Sequence, residues 1–389
     1  MKEGWEYKKI KDVGSVIAGT TPNTNVAEYW NGNLCWISPA ELNGSHYLYD
    51  SRKKITEAAV KAKSLRLLPE GTVILSSRAP IGKVVINKIP TYCNQGFKCV
   101  VCGEEIYNEF LYWWFWGKTE YLNSLGTGAT FKEISKKVVE DILIPVPPRS
   151  EQQRIVDYLD ATFAKIDAMK ANAGKALNEA KALFQASLKE MLEPKEGWEN
   201  KSLGEVCDKI TDGSHNPPKG VEKSDNLMLS SQNIQNDYLD MKRVRFISDE
   251  DFKTENQRTQ AKKGDVLLTI VGTIGRTCVL KGTEGNITFQ RSVAVLKPTK
   301  ELISRFLMFF LISQNSELNA AAQGAAQKGI YLKQLGNIGI CFPPLSEQQS
   351  IVETLDTLKS KVDRLQANFD KVTQECDALK QAILRQVFE

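Results

Sequence analysis

The chain repeats itself over a long period. Residues 147–156 read PPRSEQQRIV, and residues 343–352 read PPLSEQQSIV. Further matches, at offsets of 192 to 196, join KEGWEYK at 2–8 to KEGWENK at 195–201. A period of this length is that of a whole domain rather than of a solenoid repeat. The 389 residues are therefore predicted to form two similar units in tandem.

Each copy begins with a strand-rich segment. Short apolar runs on either side of glycine turns predict paired strands at 71–87 and at 264–280. A packed helix is predicted next, at 109–125 and 304–322. Apolar residues in the second copy replace the tryptophans of the first copy's helix, which favours core packing over base stacking.

A helix start signal follows each strand-rich segment. A Pro-Pro pair precedes Ser150 and Gln153, and another precedes Ser346 and Gln349, and both pairs have the spacing of a capping box. We therefore predict an α+β fold in four parts: a globular domain at 1–149, a helix at 150–193, a globular domain at 194–345 and a helix at 346–389.

The two long helices carry a coiled-coil pattern, in which apolar residues alternate spacings of four and three. We expect them to pack antiparallel, with pseudo-twofold symmetry, and to separate the two globular domains. Gly174 lies off the seam and is interpreted as a surface residue, with a hinge as the alternative. The predicted seam is Ile155, Leu159, Ile166, Met169 and Leu183 in the first helix, and Ile351, Leu355, Leu358, Val362, Leu365, Phe369, Val372, Leu379 and Ile383 in the second.

The sequence contains no pattern typical of a catalytic or metal site. His46 and His215 lie in different copies and have no evident catalytic partner. Cys99 and Cys102 have C-x-x-C spacing without a second pair, which favours core packing over metal binding. The segment at 216–219, Asn-Pro-Pro-Lys, resembles part of an amino-methyltransferase motif, but no cofactor loop accompanies it and a turn is favoured.

Charge and hydropathy are consistent with a DNA-binding protein of the cytoplasm. Residues 1–150 contain 19 basic and 15 acidic side chains, and residues 194–346 contain 20 and 17, so positive charge lies in the globular segments. No apolar run approaches the roughly 20 residues of a membrane-spanning helix, and the N-terminus does not read as a signal peptide. The eight scattered cysteines suit a reducing compartment.

In combination, the helix start blocks, the two strand-rich copies and the glycine turns resemble the specificity subunit of type I restriction-modification enzymes. The resemblance implies that each strand-rich copy is a target recognition domain that reads one half of a split sequence in double-stranded DNA. It implies that the helices set the gap between half-sites and bind two methyltransferase subunits, with restriction subunits joining the full complex. It also implies that S-adenosylmethionine, ATP and magnesium bind to those partners, and that this chain is not an enzyme.

Polar residues of the turns and loops are the expected DNA contacts. Arginine can bond guanine and asparagine or glutamine can bond adenine through paired hydrogen bonds, although most basic residues should contact phosphate. For each serine and threonine, backbone capping is an equal alternative. The candidates are Ser76, Ser77, Arg78, Lys83, Gln95, Thr127, Thr130 and Lys132 in the first copy, and Ser231, Gln232, Asn233, Thr269, Thr273, Arg276, Gln290, Arg291, Gln323, Gln327, Lys328, Tyr331 and Lys333 in the second.

Two other functions are left open by the residues alone. The first is a methyltransferase built around 216–219, which should bind S-adenosylmethionine as an isolated chain. The second is a coiled-coil scaffold whose globular domains bind proteins, which should leave DNA affinity and site choice unchanged.

Overall fold

The computed structural model describes residues 4–128, 132–322 and 329–389. The chain divides into two compact units. The first unit runs to Ala173 and also contains Asp370–Glu389, and the second unit is Gly174–Phe369. Each unit therefore combines one strand-rich domain with a stretch of both long helices, whereas the sequence-based division made each helix a separate part.

The first unit combines short strands with helices. The strands form a sheet in the order β2-β9-β6-β7-β4, a sheet in the order β5-β3-β8 and the pair β1-β10. They are β1 Glu6–Lys9, β2 Gly14–Ala18, β3 Trp30–Ile37, β4 Tyr47–Leu48, β5 Lys53–Ile55, β6 Val73–Ser76, β7 Val84–Asn87, β8 Tyr92–Cys93, β9 Phe97–Cys102 and β10 Leu143–Val146. The helices are α1 Ile10–Val13, α2 Glu57–Lys63, α3 Asn108–Gly117, α4 Thr119–Ser124, α5 Lys136–Asp141 and the long α6 Arg149–Met191, which continues into the second unit.

The second unit repeats this construction. Its sheets have the orders β12-β20-β17-β18 and β16-β13-β19, beside the pairs β11-β21 and β14-β15. The strands are β11 Glu199–Ser202, β12 Cys207–Asp212, β13 Asn226–Leu229, β14 Ile234–Gln235, β15 Tyr238–Leu239, β16 Arg245–Ile247, β17 Val266–Thr269, β18 Thr277–Val279, β19 Asn286–Phe289, β20 Val293–Pro298 and β21 Gly339–Phe342. The helices are α7 Leu203–Val206, α8 Asp249–Thr259, α9 Ser304–Ser313, α10 Asn315–Ala321, α11 Leu332–Gly336 and the long α12 Leu345–Phe388, whose end belongs to the first unit.

The glycine turns lie where the sequence predicts them. Strands β6 and β7 pair antiparallel around one turn, and β17 and β18 pair around the other. Gly82 and Gly275 have φ angles of +93° and +90°, a conformation that side chains with a Cβ rarely adopt. A Cβ on Gly82 would also lie 2.9 Å from Thr119 Cγ2. Both glycines are therefore required by the turn.

Helices α3 and α9 form the centre of each unit's core. Trp113, Trp114 and Phe115 are buried in the first unit, as are Phe309 and Phe310 in the second. This confirms the interpretation of the tryptophan cluster as a packed helix face. The Trp113 indole Nε1 also donates to Asp160 Oδ1 at 2.9 Å, which links α3 to α6.

The capping boxes predicted at Ser150 with Gln153 and at Ser346 with Gln349 are wrong. Helix α6 begins at Arg149, so Ser150 lies inside the first turn, and the Pro148 carbonyl accepts hydrogen bonds from the backbone of residues 151 and 152. The amide of Gln153 donates to the Asp157 carboxylate at 2.8 Å. The start of α12 is built in the same way. This helix begins at Leu345, and the Pro344 carbonyl accepts hydrogen bonds from the backbone of residues 347 and 348. The amide of Gln349 donates to the Glu353 carboxylate at 2.9 Å.

The repeated block instead fixes each helix start through the other glutamine. The Gln152 side chain is fully buried. Its Oε1 accepts from Tyr107 N at 2.7 Å, and its Nε2 donates to the carbonyls of Glu105 and Pro147, both at 2.8 Å. Gln348 is equally buried and makes the same bonds in the second unit, at 2.8 to 2.9 Å, with Ile303, Glu301 and Pro343.

In the first unit α6 and α12 pack antiparallel. Asp167 pairs with Lys380 at 2.6 Å, and Lys170 pairs with Asp377 at 3.5 Å. Residue numbers therefore increase along one helix in the direction in which they decrease along the other. Of the seam residues predicted here, Ile155, Leu159, Ile166 and Ile383 are buried and Val372 is half-buried. The assignments of Met169 and Leu379 are wrong, because these side chains are 62% and 50% exposed. The buried seam positions near them are Phe163 and Cys376.

The second unit contains the other part of this helix pair. Lys181 Nζ donates to Gln366 Oε1 at 2.7 Å. The predicted assignments of Leu183 and Leu365 are wrong, because these side chains are 60% and 36% exposed. Gly174 is not a plain surface residue either, since a Cβ there would lie 3.2 Å from the Phe369 ring. The other predicted seam residues of this unit are buried or half-buried: Ile351, Leu355, Leu358, Val362 and Phe369.

Candidate nucleic-acid interface

Several predicted DNA contacts are buried and hold the glycine turns together. The Ser76 hydroxyl donates to Pro80 O at 2.8 Å and accepts from Lys83 N at 2.9 Å. The Thr269 hydroxyl accepts from Arg276 N at 2.9 Å in the equivalent turn. Because both hydroxyls are buried and bonded to the turn itself, backbone capping, rather than DNA contact, describes their role.

Two further candidates are also structural. Ser77 is fully buried, and its hydroxyl accepts from Lys98 Nζ at 3.0 Å. Asn233 is buried, and its Oδ1 accepts from Ser230 N at 2.9 Å while its Nδ2 donates to two backbone carbonyls. The neighbours of Asn233 are more accessible: Ser231 is half-buried and Gln232 is exposed.

A charged cluster lies beside the glycine turn of the first unit. Arg78 Nε donates to Glu133 Oε2 at 2.9 Å, and Lys98 Nζ donates to Glu133 Oε1 at 3.0 Å. Burial acts to raise the pKa of Glu133, but the hydrogen bonds and charges of Lys98 and Arg78 outweigh it and hold that pKa below its ordinary value. Thr127 exchanges two backbone hydrogen bonds with Glu133, and Lys98 Nζ also donates to Gln95 O at 3.4 Å. The structure therefore brings Arg78, Gln95 and Thr127 together.

A cleft of about 400 Å³ occupies the corresponding face of the second unit. The predicted residues Arg291 and Tyr331 line it, and both are exposed. Asp212, His215 and Arg258 also line it, although the sequence did not single out Asp212 and Arg258. His215 has a partner after all, because its Nε2 lies 2.8 Å from Asp212 Oδ2. The three-residue spacing of these two side chains was the available signal in the sequence.

The remaining candidates are distributed around the two units. Lys83 is exposed, and its Nζ donates to Leu42 O at 3.2 Å. Others that are exposed are Lys132, Thr273 and Lys333, while Arg276 and Gln290 are half-buried. Four candidates lie outside the described residues: Thr130, Gln323, Gln327 and Lys328.

The groups brought together in each unit include several hydrogen-bond donors. The arginines, lysines and amides can bond phosphate oxygens and base edges. Within residues 4–128, 132–322 and 329–389, no group of three or more histidine, cysteine or acidic side chains is placed to hold a metal ion. The same ranges contain no helix that is both long and apolar enough to cross a membrane.

Comparison with known proteins gives the family. The model of the type I restriction modification DNA specificity domain matches residues 2–178 and 195–374, which correspond to the two copies. The MjaIX specificity subunit of Methanocaldococcus jannaschii is 38% identical over 237 residues, which are 56% of this chain and 54% of that protein. The chain therefore spans about half the length of this relative. The EcoKI specificity subunit of Escherichia coli K12 is 25% identical over 422 aligned positions, covering 100% of this chain and 89% of that protein.

Solved structures support the fold. A chain from a study of complex assembly and conformational transition in a type I R-M system is 24% identical, with a TM-score of 0.79 and coverage of 100% and 98%. The HsdS subunit from Thermoanaerobacter tengcongensis is 22% identical, with a TM-score of 0.59 and coverage of 100% and 97%. Because the family model matches both copies and most of the sequence, the chain belongs to the family of type I restriction-modification DNA specificity subunits.

Proposed function

We propose that each unit reads one half of a bipartite DNA target, and that α6 and α12 set the gap between the halves and dock two methyltransferase subunits. The observation that carries this proposal is that the two units share the same buried hydrogen bonds but differ in the polar clusters beside their glycine turns. The buried glutamines Gln152 and Gln348 make the same three bonds in both units. The polar clusters beside the glycine turns differ, with Glu133 central in one and Asp212 in the other. Two similar readers with different polar faces are what two unlike half-sites require.

Exposed apolar side chains support docking on the long helices. Met169 and Leu379 in the first unit, and Leu183 and Leu365 in the second, are large apolar residues on helix surfaces that face solvent. In this proposal a docked protein partner covers these side chains. In this proposal the partners are the methyltransferase subunits, and restriction subunits join them in the full complex.

The chemistry is assigned to these partners. We propose that S-adenosylmethionine, ATP and magnesium bind to the methyltransferase and restriction subunits, while this chain supplies only the DNA contacts and their spacing. The segment at 216–219 supports this division, because it is a largely exposed loop in which the Pro218 carbonyl accepts from Arg245 at 3.0 Å. Calorimetry on the isolated chain should detect no S-adenosylmethionine binding, and measurable binding would favour the methyltransferase alternative.

Exchange of the first unit tests the two-reader proposal. Residues 1–149 would be replaced by those of a relative together with Asp370–Glu389, because this stretch of α12 completes the first unit. The complex reconstituted with methyltransferase subunits should then methylate a target in which one half-site word has changed and the other has not. Sequencing of the methylated sites gives the readout.

The reciprocal exchange, of residues 194–345, is the matched control and should change the other word. A change in both words after either exchange would contradict the proposal. If gel shifts with the partner present showed the same DNA affinity and site choice for every exchange, the scaffold alternative would stand instead.

A further inference from the structure

The polar clusters of the two units occupy the same position in the fold. In the first unit Arg78 forms an isolated β-bridge with Glu133, next to the glycine turn. In the second unit Val271 forms the same antiparallel bridge with Gly329. At this bridge the second unit therefore has neither of the charged residues that form it in the first unit. Its cleft is nevertheless lined by charged side chains.

A different salt bridge supplies the charge in the second unit. Asp212 ends strand β12 and is only 6% exposed. Arg258, in the last turn of α8, donates from Nε to Asp212 Oδ1 at 3.1 Å and to Asp212 O at 2.9 Å, and its Nη2 also bonds Oδ1. The Arg258 side chain nevertheless remains 47% exposed and lines the cleft. A buried carboxylate thus anchors a guanidinium whose other end is accessible.

This anchoring leaves Nη1 of the guanidinium available. Nε and one side of Nη2 face Asp212, and Nη2 also lies 3.4 Å from His215 Nε2, at the outer limit of hydrogen-bonding distance, whereas Nη1 has no hydrogen-bond partner among the residues that the structure describes. The edge formed by Nη1 and Nη2 carries two parallel N–H donors, which match the O6 and N7 acceptors of guanine in the major groove. Because Asp212 already fixes the plane of the guanidinium, little side-chain freedom is left to lose on binding.

Among its described residues, the first unit has no counterpart of this salt bridge. Gly19 N donates to Phe97 O in the first unit, and Gly213 N donates to Val293 O in the second, so these two glycines are equivalent. The residues that precede them, Ala18 and Asp212, therefore occupy the same position in the fold. Helices α2 and α8 both end at a residue in the left-handed conformation, which aligns Ala62 with Arg258. Both members of the pair are therefore alanine in the first unit. A salt bridge needed by the common framework would be repeated in both units, as the buried glutamines are.

We propose that Arg258, positioned by Asp212, reads a guanine in the half-site of the second unit, and that Arg78, positioned by Glu133, does so in the first. The two units thus present an arginine at one shared place in the fold, but they recruit it from different elements. Arg78 comes from the segment between β6 and β7, and Arg258 comes from α8. This difference in approach makes each arginine address its own base pair. The inference rests on the proposed function and assigns its specificity.

The test uses the full chain reconstituted with its methyltransferase subunits, and sequencing of the methylated sites is the readout. Arg258→Ala should reduce discrimination at one G·C base pair of the second half-site by about tenfold to a hundredfold. Arg258→Lys keeps the charge and can still pair with Asp212, but it lacks the two-pronged donor edge, so it should relax the same position. The first half-site word should be unchanged in both variants. Arg78→Ala and Arg78→Lys should give the mirror result.

Arg245→Ala is the matched control, because Arg245 is an exposed arginine of the second unit whose guanidinium bonds the Pro218 carbonyl and which does not line the cleft. It should leave both words intact. The assignment is overturned if Arg258→Lys, with a thermal midpoint equal to that of the wild type, preserves discrimination at every position or weakens all sequences equally, as a phosphate contact would. The unit exchange remains an independent test of the two-reader function. If that function is correct, the exchange changes a single half-site word whatever the arginine variants do, so the two failures can be told apart.

Discussion

At the scale of single residues, burial decided which polar side chains have structural roles. The block that is repeated in the sequence contains two adjacent glutamines in each copy, and the capping-box spacing pointed to Gln153 and Gln349. The structure assigns the structural role to Gln152 and Gln348, because only these two point into the protein, where each satisfies three backbone groups. Spacing along a chain does not reveal which of two neighbours faces inward, and so the helix start could be predicted but its mechanism could not.

Removal of the Gln152 amide should destabilise the first unit. Gln152→Ala would leave one N–H and two carbonyls buried without partners, so we expect the free energy of unfolding to fall by about 2–4 kcal/mol. Gln153→Ala, one residue further along on the exposed face, should change it by less than about 0.5 kcal/mol. Urea unfolding followed by circular dichroism measures both. Equal effects of the two substitutions would contradict the assignment.

One pair of equivalent residues has opposite charge in the two units. In the first unit Glu109 lies 2.8 Å from His46 Nε2 and 3.7 Å from Lys88 Nζ. In the second unit the residue at this place in α9 is Arg305, which bonds Asp237 and Asp356. A charge reversal together with its partners preserves the same link between strand-rich domain and core, and no single-sequence pattern could have paired these distant residues.

The charge on Glu109 gives a pH-dependent contribution to stability. Burial acts to raise the pKa of Glu109, but the hydrogen bond and charge of His46, with Tyr47 and Lys88, outweigh it, so that pKa lies below its ordinary value. A carboxyl whose pKa is lowered by folding stabilises the protein above its unfolded pKa of about 4.3, and this contribution is lost as the pH falls through the folded value. Glu109→Gln should cost about 1–3 kcal/mol at pH 7.

The difference between the wild type and Glu109→Gln should shrink as the pH falls from 5 towards 3. Thermal unfolding at stepped pH provides the measurement. Glu140→Gln is the control, since Glu140 is in a partly exposed pair with Lys136 at 3.5 Å and should have little effect at any pH. A gap that stays constant down to pH 3 would refute the role of the Glu109 charge.

At the scale of elements, the sequence predicted the long helices and their heptad pattern but misplaced part of the seam. Continued along the first helix, the heptad pattern of the second helix predicts Met169 and Leu183 in the seam. The structure buries Phe163, Leu177 and Phe184 instead. Phe184 lies one residue from the predicted Leu183 and has the larger side chain, and each part of a helix also packs against its own strand-rich domain. Heptad spacing alone contains no information about those neighbours.

Substitutions at Phe163 and at Met169 should distinguish the observed seam from the predicted one. Phe163 is buried, with its ring 4.9 Å from that of Trp113, so Phe163→Ala should lower the free energy of unfolding by about 3–5 kcal/mol. Met169→Ala should change it by less than about 0.5 kcal/mol, because Met169 is mostly exposed. Denaturant midpoints of the isolated chain give both values. A large loss from Met169→Ala would restore the predicted register.

At the scale of the whole molecule, the tandem repeat predicted two units but not which residues each contains. The boundary between units falls after Ala173 in α6 and after Phe369 in α12, in the middle of both helices. A linear division of the sequence cannot produce units that share two continuous helices, since that arrangement depends on contacts between residues far apart in the chain.

These two boundaries are the natural places to test how the gap between half-sites is set. Insertion of one heptad after Ala173 and another after Phe369 lengthens both helices by about 10.5 Å, and seven residues preserve the seam. We expect the gap in the methylated target to grow by about three base pairs, at 3.4 Å each, with both half-site words unchanged. Insertion into one helix alone should mispair the helices and lower the thermal midpoint. An unchanged gap after the double insertion would contradict a spacing role for the helices.

The end of α12 has a consequence for how the protein is made. Phe388 packs against Phe110, with ring centroids 5.3 Å apart, and Leu384 lies against Gly117, so the first unit needs side chains translated after the whole of the second. At roughly 5–20 residues per second, the ribosome needs roughly 10–40 s to add residues 174–369. The second unit therefore has all of its residues before the first unit does. Although its strand-rich domain is translated first, the first unit is the later of the two to be complete.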